Sequence, residues 1–295
     1  MKNMFGQPSK RRLGRRGFIR SAALGLAAAP LFTRPGTADG MVPDEAPRLT
    51  GDQKFPLGLA SYTLRAFGLD QVIVMTRRVG LERIVLKSMH LPLETPAAVI
   101  AETAAKVRAA GLDLYGGGVI YMTNEAEVEQ AFRYAKAAGM RMIIGAPDPE
   151  ILGLVNRKIK EYEVAVAIHN HGPDNNRYPT PVDAYKLIRD FDPRFGLCID
   201  IGHTLRAGMD PSEAAEKCAD RLLDVHIKDV TAASKEGQAV EIGRGVIDIP
   251  RFIRTLSSVK YAGTLSFEYE KDEKDPLPGL AESVGYVRGV MAALA

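Results

Sequence analysis

Four apolar runs in this sequence end in side chains that can hold a metal ion. FGLCIDIGH (195–203) reaches Asp200, with His203 three residues later; VAVAIHNH closes on His169 and His171; RLLDVHIKD closes on His226, Lys228 and Asp229; and GTLSFEYE carries Glu268 near its end. A buried apolar strand has little reason to end in a charged group unless something there binds it. Two imidazoles and two carboxylates suit Mn, Co, Zn or Fe better than a purely oxygen-seeking cation, and Mg stays open. The expectation is one divalent ion held by His169, Asp200, His226 and Glu268. Its affinity should fall at acid pH, because an imidazole must be neutral to bind.

The elements that position these groups follow a repeating rhythm. From residue 55, strand-like runs (FPLGLASYTL, LERIVLKS, LDLYGGGV, MRMIIGA, VAVAIHNH, RFGLCIDIG, RLLDVHIKD, GTLSFEYE) alternate with helix-like stretches, giving eight strand–helix pairs. Such alternation implies a parallel sheet, and eight units close a (β/α)8 TIM barrel of the α/β class, whose C-terminal strand ends carry the chemistry. His169 to Asp200 is 31 residues, Asp200 to His226 is 26 and His226 to Glu268 is 42, so adjacent strands supply one ligand each, with a longer loop in the last gap. Alternation along a strand puts Cys198 and Gly196 on the same face as Asp200, Lys228 with His226, and Ser266 and Thr264 with Glu268. Leu265 and Phe267 then face the helices.

The formal charge of +3 is unevenly spread. Residues 1–38 hold eight Lys or Arg and no acid, which leaves 31 basic against 36 acidic residues, a net of −5, in the rest. That balance suggests neither a nucleic-acid nor a membrane-surface partner. The leader itself, GRRGFIR followed by SAALGLAAAPLF and the small residues Gly36, Thr37 and Ala38, resembles a twin-arginine export signal. It implies the twin-arginine machinery as a partner, a periplasmic protein and no stable membrane anchor, since the apolar run is too short to span a bilayer. The expected organisation is a signal peptide (1–38), a linker (39–54) and a single barrel domain (55–295). Cys198 and Cys218 are too few for a disulfide framework and read as buried small apolar residues. Whether the barrel forms a homo-oligomer stays open.

Asp200-Ile-Gly-His203, then His226-Ile-Lys-Asp229, then the strand ending in Glu268, resembles the xylose isomerase-like barrel superfamily of sugar isomerases, ketose epimerases and endonuclease IV, over most of residues 55–295. In that family a Glu ends the fifth strand where this chain has His169, and the other three metal ligands map onto Asp200, His226 and Glu268. Losing that carboxylate departs from the two-carboxylate pattern of the epimerases. AIHNHGP, SYTLR, LKSMHLPL and PGLAESVGYVRG also resemble members linked to 3-keto-glycoside hydration or lysis.

The resemblance implies an enzyme acting on a sugar by proton transfer beside a carbonyl, through an enediolate stabilised by the ion. Glu268 is the expected proton carrier, with Lys87 or His169 opposite. Lys87 could instead pair with a carboxylate across the barrel mouth. His203 and His171 are expected to meet substrate hydroxyls. Tyr62, His90, Arg206, Lys228 and Arg244 complete the candidate substrate contacts, although His90 reads better as a hydrogen-bonded structural residue, Tyr62 could simply fill the core, and Arg206 or Arg244 could equally be solvated surface. Gly243, Arg244 and Gly245 could cradle a phosphate after the seventh strand, although export favours an unphosphorylated sugar. Gly116, Gly117 and Gly118 match no phosphate loop and are read as ending the third strand. A non-catalytic sugar-binding protein on the same barrel is the competing reading.

Overall fold

In the computed structural model the described residues are 55–295; the expected signal peptide and linker lie outside them. Among the described residues the chain runs β1 (Leu57–Ala60), α1 (Leu69–Arg78), β2 (Arg83–Leu86), α2 (Ala97–Ala109), β3 (Asp113–Met122), α3 (Glu125–Ala138), β4 (Met142–Pro147), α4 (Leu152–Tyr162), β5 (Ala165–His169), α5 (Pro181–Ile188), β6 (Phe195–Asp200), α6 (Ile201–Arg206), α7 (Pro211–Lys217), β7 (Leu222–Ile227), β8 (Asp229–Val230), β9 (Ala239–Val240), α8 (Ile249–Ser258), β10 (Thr264–Phe267) and α9 (Leu277–Ala293). All strands except β8 and β9 form one closed parallel barrel, in the order β1, β10, β7, β6, β5, β4, β3, β2. The remaining two make a short antiparallel hairpin that occupies part of the long gap between His226 and Glu268.

Local signals set the helix ends. Thr180 accepts the Asp183 N–H while Asp183 returns a bond to Thr180, with Pro181 at the first helical position of α5. Asn124 caps α3, which Gly139 ends in the left-handed conformation. The buried face of α3 (Val128, Ala131, Phe132, Ala135) recurs at helical spacing and joins the cluster between the helices and the barrel wall. Phe132→Ala there would cost about 3–5 kcal/mol through lost burial and the cavity left behind.

Two expectations change. β3 does not end at its glycines but runs on to Met122, with a register shift between Gly118 and Ile120. The glycines are needed for closeness: a Cβ on Gly118 would sit 2.1 Å from the Ile144 carbonyl oxygen, and one on Gly117 2.9 Å from the Tyr134 ring. In addition, a short helix, α6, leaves β6 directly. Asp200 is its N-cap, accepting the His203 N–H on Oδ1 at 2.7 Å.

Inside the barrel, Val85, Tyr115, Val119, Ile144, Ala146, Ala167 and Cys198 form a separate apolar cluster. Cys198 and Cys218 are both buried and unpaired. Register places Asp200 opposite His226, His169 opposite Cys198 and Ser266 opposite His226, which brings the ends of β5, β6, β7 and β10 to one level. None of the helices among the described residues is long and apolar enough to cross a membrane.

Candidate metal centre

His169, Asp200, His226 and Glu268 converge, all four buried, with one donor atom from each lying within 4.8 Å of all the others. His169 Nε2 is 3.0 Å from His226 Nδ1 and 3.7 Å from both Asp200 Oδ2 and Glu268 Oε2; His226 Nδ1 is 3.2 Å from that same Glu268 oxygen. Donors bound at about 2.0–2.1 Å around one tetrahedral ion stand about 3.3–3.4 Å apart, so the packing already matches a shared ion. Asp200 Oδ2 is fully buried, and the donor that reaches it is the charged Lys228 ammonium at 3.1 Å. A nitrogen–oxygen donor set of this kind, packed at this spacing, fits a divalent transition ion or zinc.

Asp200 is held from behind. Asn170 accepts the Asp200 N–H at 3.0 Å and donates to Thr204 Oγ1 at 3.1 Å, tying the end of β5 to the β6–α6 junction. Asp200 therefore uses one oxygen to cap α6 and leaves the other for the cluster.

Lys228 is the fifth member. It is only 3 % exposed, and its Nζ lies 3.1 Å from Asp200 Oδ2, 3.2 Å from Glu268 Oε2 and 3.2 Å from Glu270 Oε2. Burial works against its charge, but Asp200, Glu268 and Glu270 together raise its pKa, so the ammonium stays charged. For Glu268, burial pushes upward, yet Lys228 and His226 hold the carboxyl well below its ordinary range. Burial pushes Asp200 and Glu270 upward. It pulls His169 down to about 4 and His171 to about 3, and takes His203 far down as well, so these three rings are neutral at physiological pH. At His226 burial also pulls down, but Glu268, Asp224 and Asp200 outweigh it and the ring is raised.

The other candidates divide. The His171 ring lies edge-on to His169, with centroids 4.6 Å apart, and the His203 ring is 6.1 Å from both. His203, Arg206 and Lys228 line one cavity with Glu270 and the hairpin residues Gln238, Ala239 and Val240. Arg206 donates to His203 Nδ1 at 3.2 Å. Lys87 donates to the Val119 carbonyl at 3.0 Å, 5.9 Å from the centre of the Tyr62 ring; burial lowers its pKa, opposed by Glu268 and Glu270. No ion pair within 4 Å joins Lys87 to a carboxylate among the described residues. His90 is not brought to the cluster: its Nδ1 bonds Ser61 at 2.8 Å and its Nε2 meets the Phe67 carbonyl at 3.2 Å, as the structural reading has it. Arg244 sits outside as well, on the surface in a two-pronged ion pair with Glu282.

The glycine pair around Arg244 holds a carboxylate from the chain itself. Gly243 and Gly245 donate their N–H groups to Asp229 Oδ2 at 2.9 and 3.0 Å, while Val230 and Ile247 donate to Oδ1. A phosphate cradle there is thus replaced by an internal cap that shapes the loop after β7.

Sequence reasoning missed Asp224, Glu270 and Tyr121. The first two share a strand alternation with residues already chosen, at two before His226 and two after Glu268, and that spacing could have found them. Tyr121 lies on the part of β3 beyond the expected end. Half-exposed, it stacks on His171 with ring centroids 5.6 Å apart, and its hydroxyl is 3.1 Å from His171 Nε2.

Residues 73–290 match the xylose isomerase-like TIM barrel family. The chain belongs to this family. Among solved structures, this xylose isomerase-like barrel resembles the IolI protein with a bound zinc atom (TM-score 0.69, 15 % identity, 81 % of this chain and 98 % of that one). It also resembles an L-ribulose 3-epimerase (0.65, 18 %, 80 % and 94 %). A third is the probable 3-DHS dehydratase AsbF of Bacillus anthracis (0.60, 14 %, 81 % and 98 %). At these identities the likeness is one of fold. A curated relative, the rhizopine catabolism protein MocC of Rhizobium meliloti, is 28 % identical over 144 residues, and the match spans 44 % of that protein's length.

Proposed function

We propose that this xylose isomerase-like barrel is an exported, divalent-metal-dependent enzyme that moves a proton at the carbon beside a carbonyl of an unphosphorylated sugar or keto-sugar, as an isomerase or epimerase does. The observation that carries the reading is the four-donor cluster in contact with a buried ammonium, Lys228, which also lines a cavity with His203, Arg206 and Glu270. His169, Asp200, His226 and Glu268 would hold the ion, which when bound supplies Lewis acidity to a carbonyl oxygen. The zinc in IolI and the epimerase and dehydratase barrels are consistent with it. The leader motif supports export.

The chain's own residues supply the rest. Lys228 places a fixed positive charge where oxygen gains negative charge as the C–H bond breaks, and it needs no reorientation from solvent. Glu268 is held ionised by Lys228 and His226, which suits a ligand better than a proton carrier. Lys87, across the mouth and with its pKa lowered by burial, is the better proton acceptor near neutral pH. His171 and His203 stay neutral and can each give or take a hydrogen bond from substrate hydroxyls. With the Gly243 and Gly245 amides bound to Asp229, that loop presents no phosphate cradle, in keeping with an unphosphorylated substrate.

Elimination or hydration of a 3-keto-glycoside is the second reading. It is favoured by His169, a neutral imidazole where a second carboxylate ligand would serve two-faced epimerisation. Incubating metal-loaded enzyme with keto-sugars and keto-glycosides in deuterated water separates the two. Deuterium enters recovered sugar for the isomerase, whereas the glycoside is consumed for the lyase. A Glu268→Gln variant should lose both metal and turnover. No exchange and no consumption across a broad panel would leave a sugar-binding protein instead.

A further inference from the structure

Asp224 lies on β7 two residues before His226, so strand alternation turns both side chains into the barrel, with the carboxylate one layer beneath the imidazole. It is fully buried. A carboxylate cut off from water must be met by donors or it is costly. Tyr115 on β3 donates its hydroxyl toward Oδ1 at 3.1 Å and Oδ2 at 3.3 Å, and the Cys198 thiol on β6 points at Oδ2 from 3.6 Å. Tyr115 is itself held by Ser266 on β10, 2.5 Å away. Side chains from three other barrel strands thus fix this one carboxylate, Ser266 through Tyr115.

The group facing it from above is His226 Nε2, 3.9 Å from Asp224 Oδ2. That nitrogen is buried and has no hydrogen-bond partner, while the other ring nitrogen, Nδ1, faces His169 and Glu268. A neutral imidazole offers a lone pair on Nδ1 only when its proton sits on Nε2. A ring tilt of about 1 Å brings Nε2 within hydrogen-bond reach of Oδ2.

We propose that Asp224 is a positioning residue for the metal centre: its carboxylate draws the proton of His226 onto Nε2, leaves Nδ1 free to bind, and sets the tilt that aims Nδ1 at His169, Asp200 and Glu268. Tyr115 acts behind it by fixing the carboxylate. Carboxylates behind ligating imidazoles commonly act this way, and losing one weakens metal binding by about 10–100-fold. The inference rests on the metal reading of the cluster, and the test separates the two.

Full-length protein stripped with a chelator is titrated with zinc against a chromophoric competitor, for the wild type, Asp224→Asn and Tyr115→Phe. Far-UV circular dichroism follows the fold. The expected result is one tight zinc per wild-type chain, affinity lower by about 10–100-fold for Asp224→Asn, and a smaller loss for Tyr115→Phe. In zinc-loaded wild type with 15N-labelled histidine, Nδ1 of His226 should be bound to zinc and its Nε2–H proton should be shifted downfield by a bond to the Asp224 carboxylate, a shift that weakens in Tyr115→Phe and that a merely structural role would not move. Folded Asp224→Asn that binds zinc within threefold of wild type, or zinc on Nε2 of His226, overturns the inference and leaves the metal reading standing. Failure of the wild type to bind zinc overturns both. If Asp224→Asn does not fold, the His226 Nε2–H shift and the zinc affinity of Tyr115→Phe decide.

Discussion

Replacing Lys228 with methionine removes the ammonium that touches Asp200, Glu268 and Glu270 at 3.1, 3.2 and 3.2 Å. At an effective dielectric of about 20, a single pair at that distance attracts by roughly 5 kcal/mol. Desolvating a buried lysine takes back several kcal/mol, and mutual repulsion among the three carboxylates remains once the lysine is gone. Breaking such a group from one side costs about 3–5 kcal/mol, or roughly 6–20 °C of melting temperature for a domain of this size. The chain has no tryptophan, so far-UV circular dichroism in the presence of a chelator is the suitable probe.

Two further outcomes mark the cause as charge rather than packing. Zinc should restore more stability to Lys228→Met than it adds to wild type, because a divalent ion now neutralises carboxylates that the ammonium no longer meets. The double variant Lys228→Met/Glu268→Gln, with one negative charge fewer, should be less destabilised than the sum of its two single changes. Metal-free Lys228→Met that melts within about 2 °C of wild type, or a strictly additive double variant, would refute an ammonium balanced against three carboxylates.

Lys87→Met should abolish deuterium exchange while leaving zinc affinity within a few-fold. In the wild type the exchange rate should rise with pH through a value below 10.5, because the neutral amine is the proton acceptor and burial lowers its pKa; a flat pH–rate profile would count against it. Acidification should release zinc, and His226, whose pKa is raised, should take up a proton at a higher pH than His169, which is lowered to about 4; zinc titrations at stepped pH with histidine NMR read the order. Asp229→Ala frees four backbone N–H groups at once and should cost about 3–5 kcal/mol in denaturant unfolding. Arg244→Ala removes a surface ion pair and should leave melting temperature and turnover unchanged, and a marked loss of turnover would bring Arg244 back into the substrate site.

Periodicity and the polar ends of apolar runs carry a great deal here. Eight strand–helix alternations dictate a parallel barrel, because parallel neighbours need crossovers and helices of that length supply them. Alternation along each strand then tells which face His169, Asp200, His226 and Glu268 share, since a one-residue error would drive Leu265 or Phe267 into the barrel and a carboxylate among the helices. What local pattern does not contain is the distance between groups far apart in the chain. Only the closed barrel, which sets Asp200 level with His226, brings Lys228 between three carboxylates and puts Asp224 beneath an imidazole. The same holds for Gly243 and Gly245, which look from sequence like an anion cradle; folding alone reveals that Asp229, fourteen and sixteen residues earlier, already supplies the anion. His90 and Arg244 resemble site residues by type and loop position, and their partners Ser61 and Glu282 become visible only once the chain has closed. Residue type and spacing set which chemistry is available, and the long-range geometry of the barrel decides which groups meet to perform it.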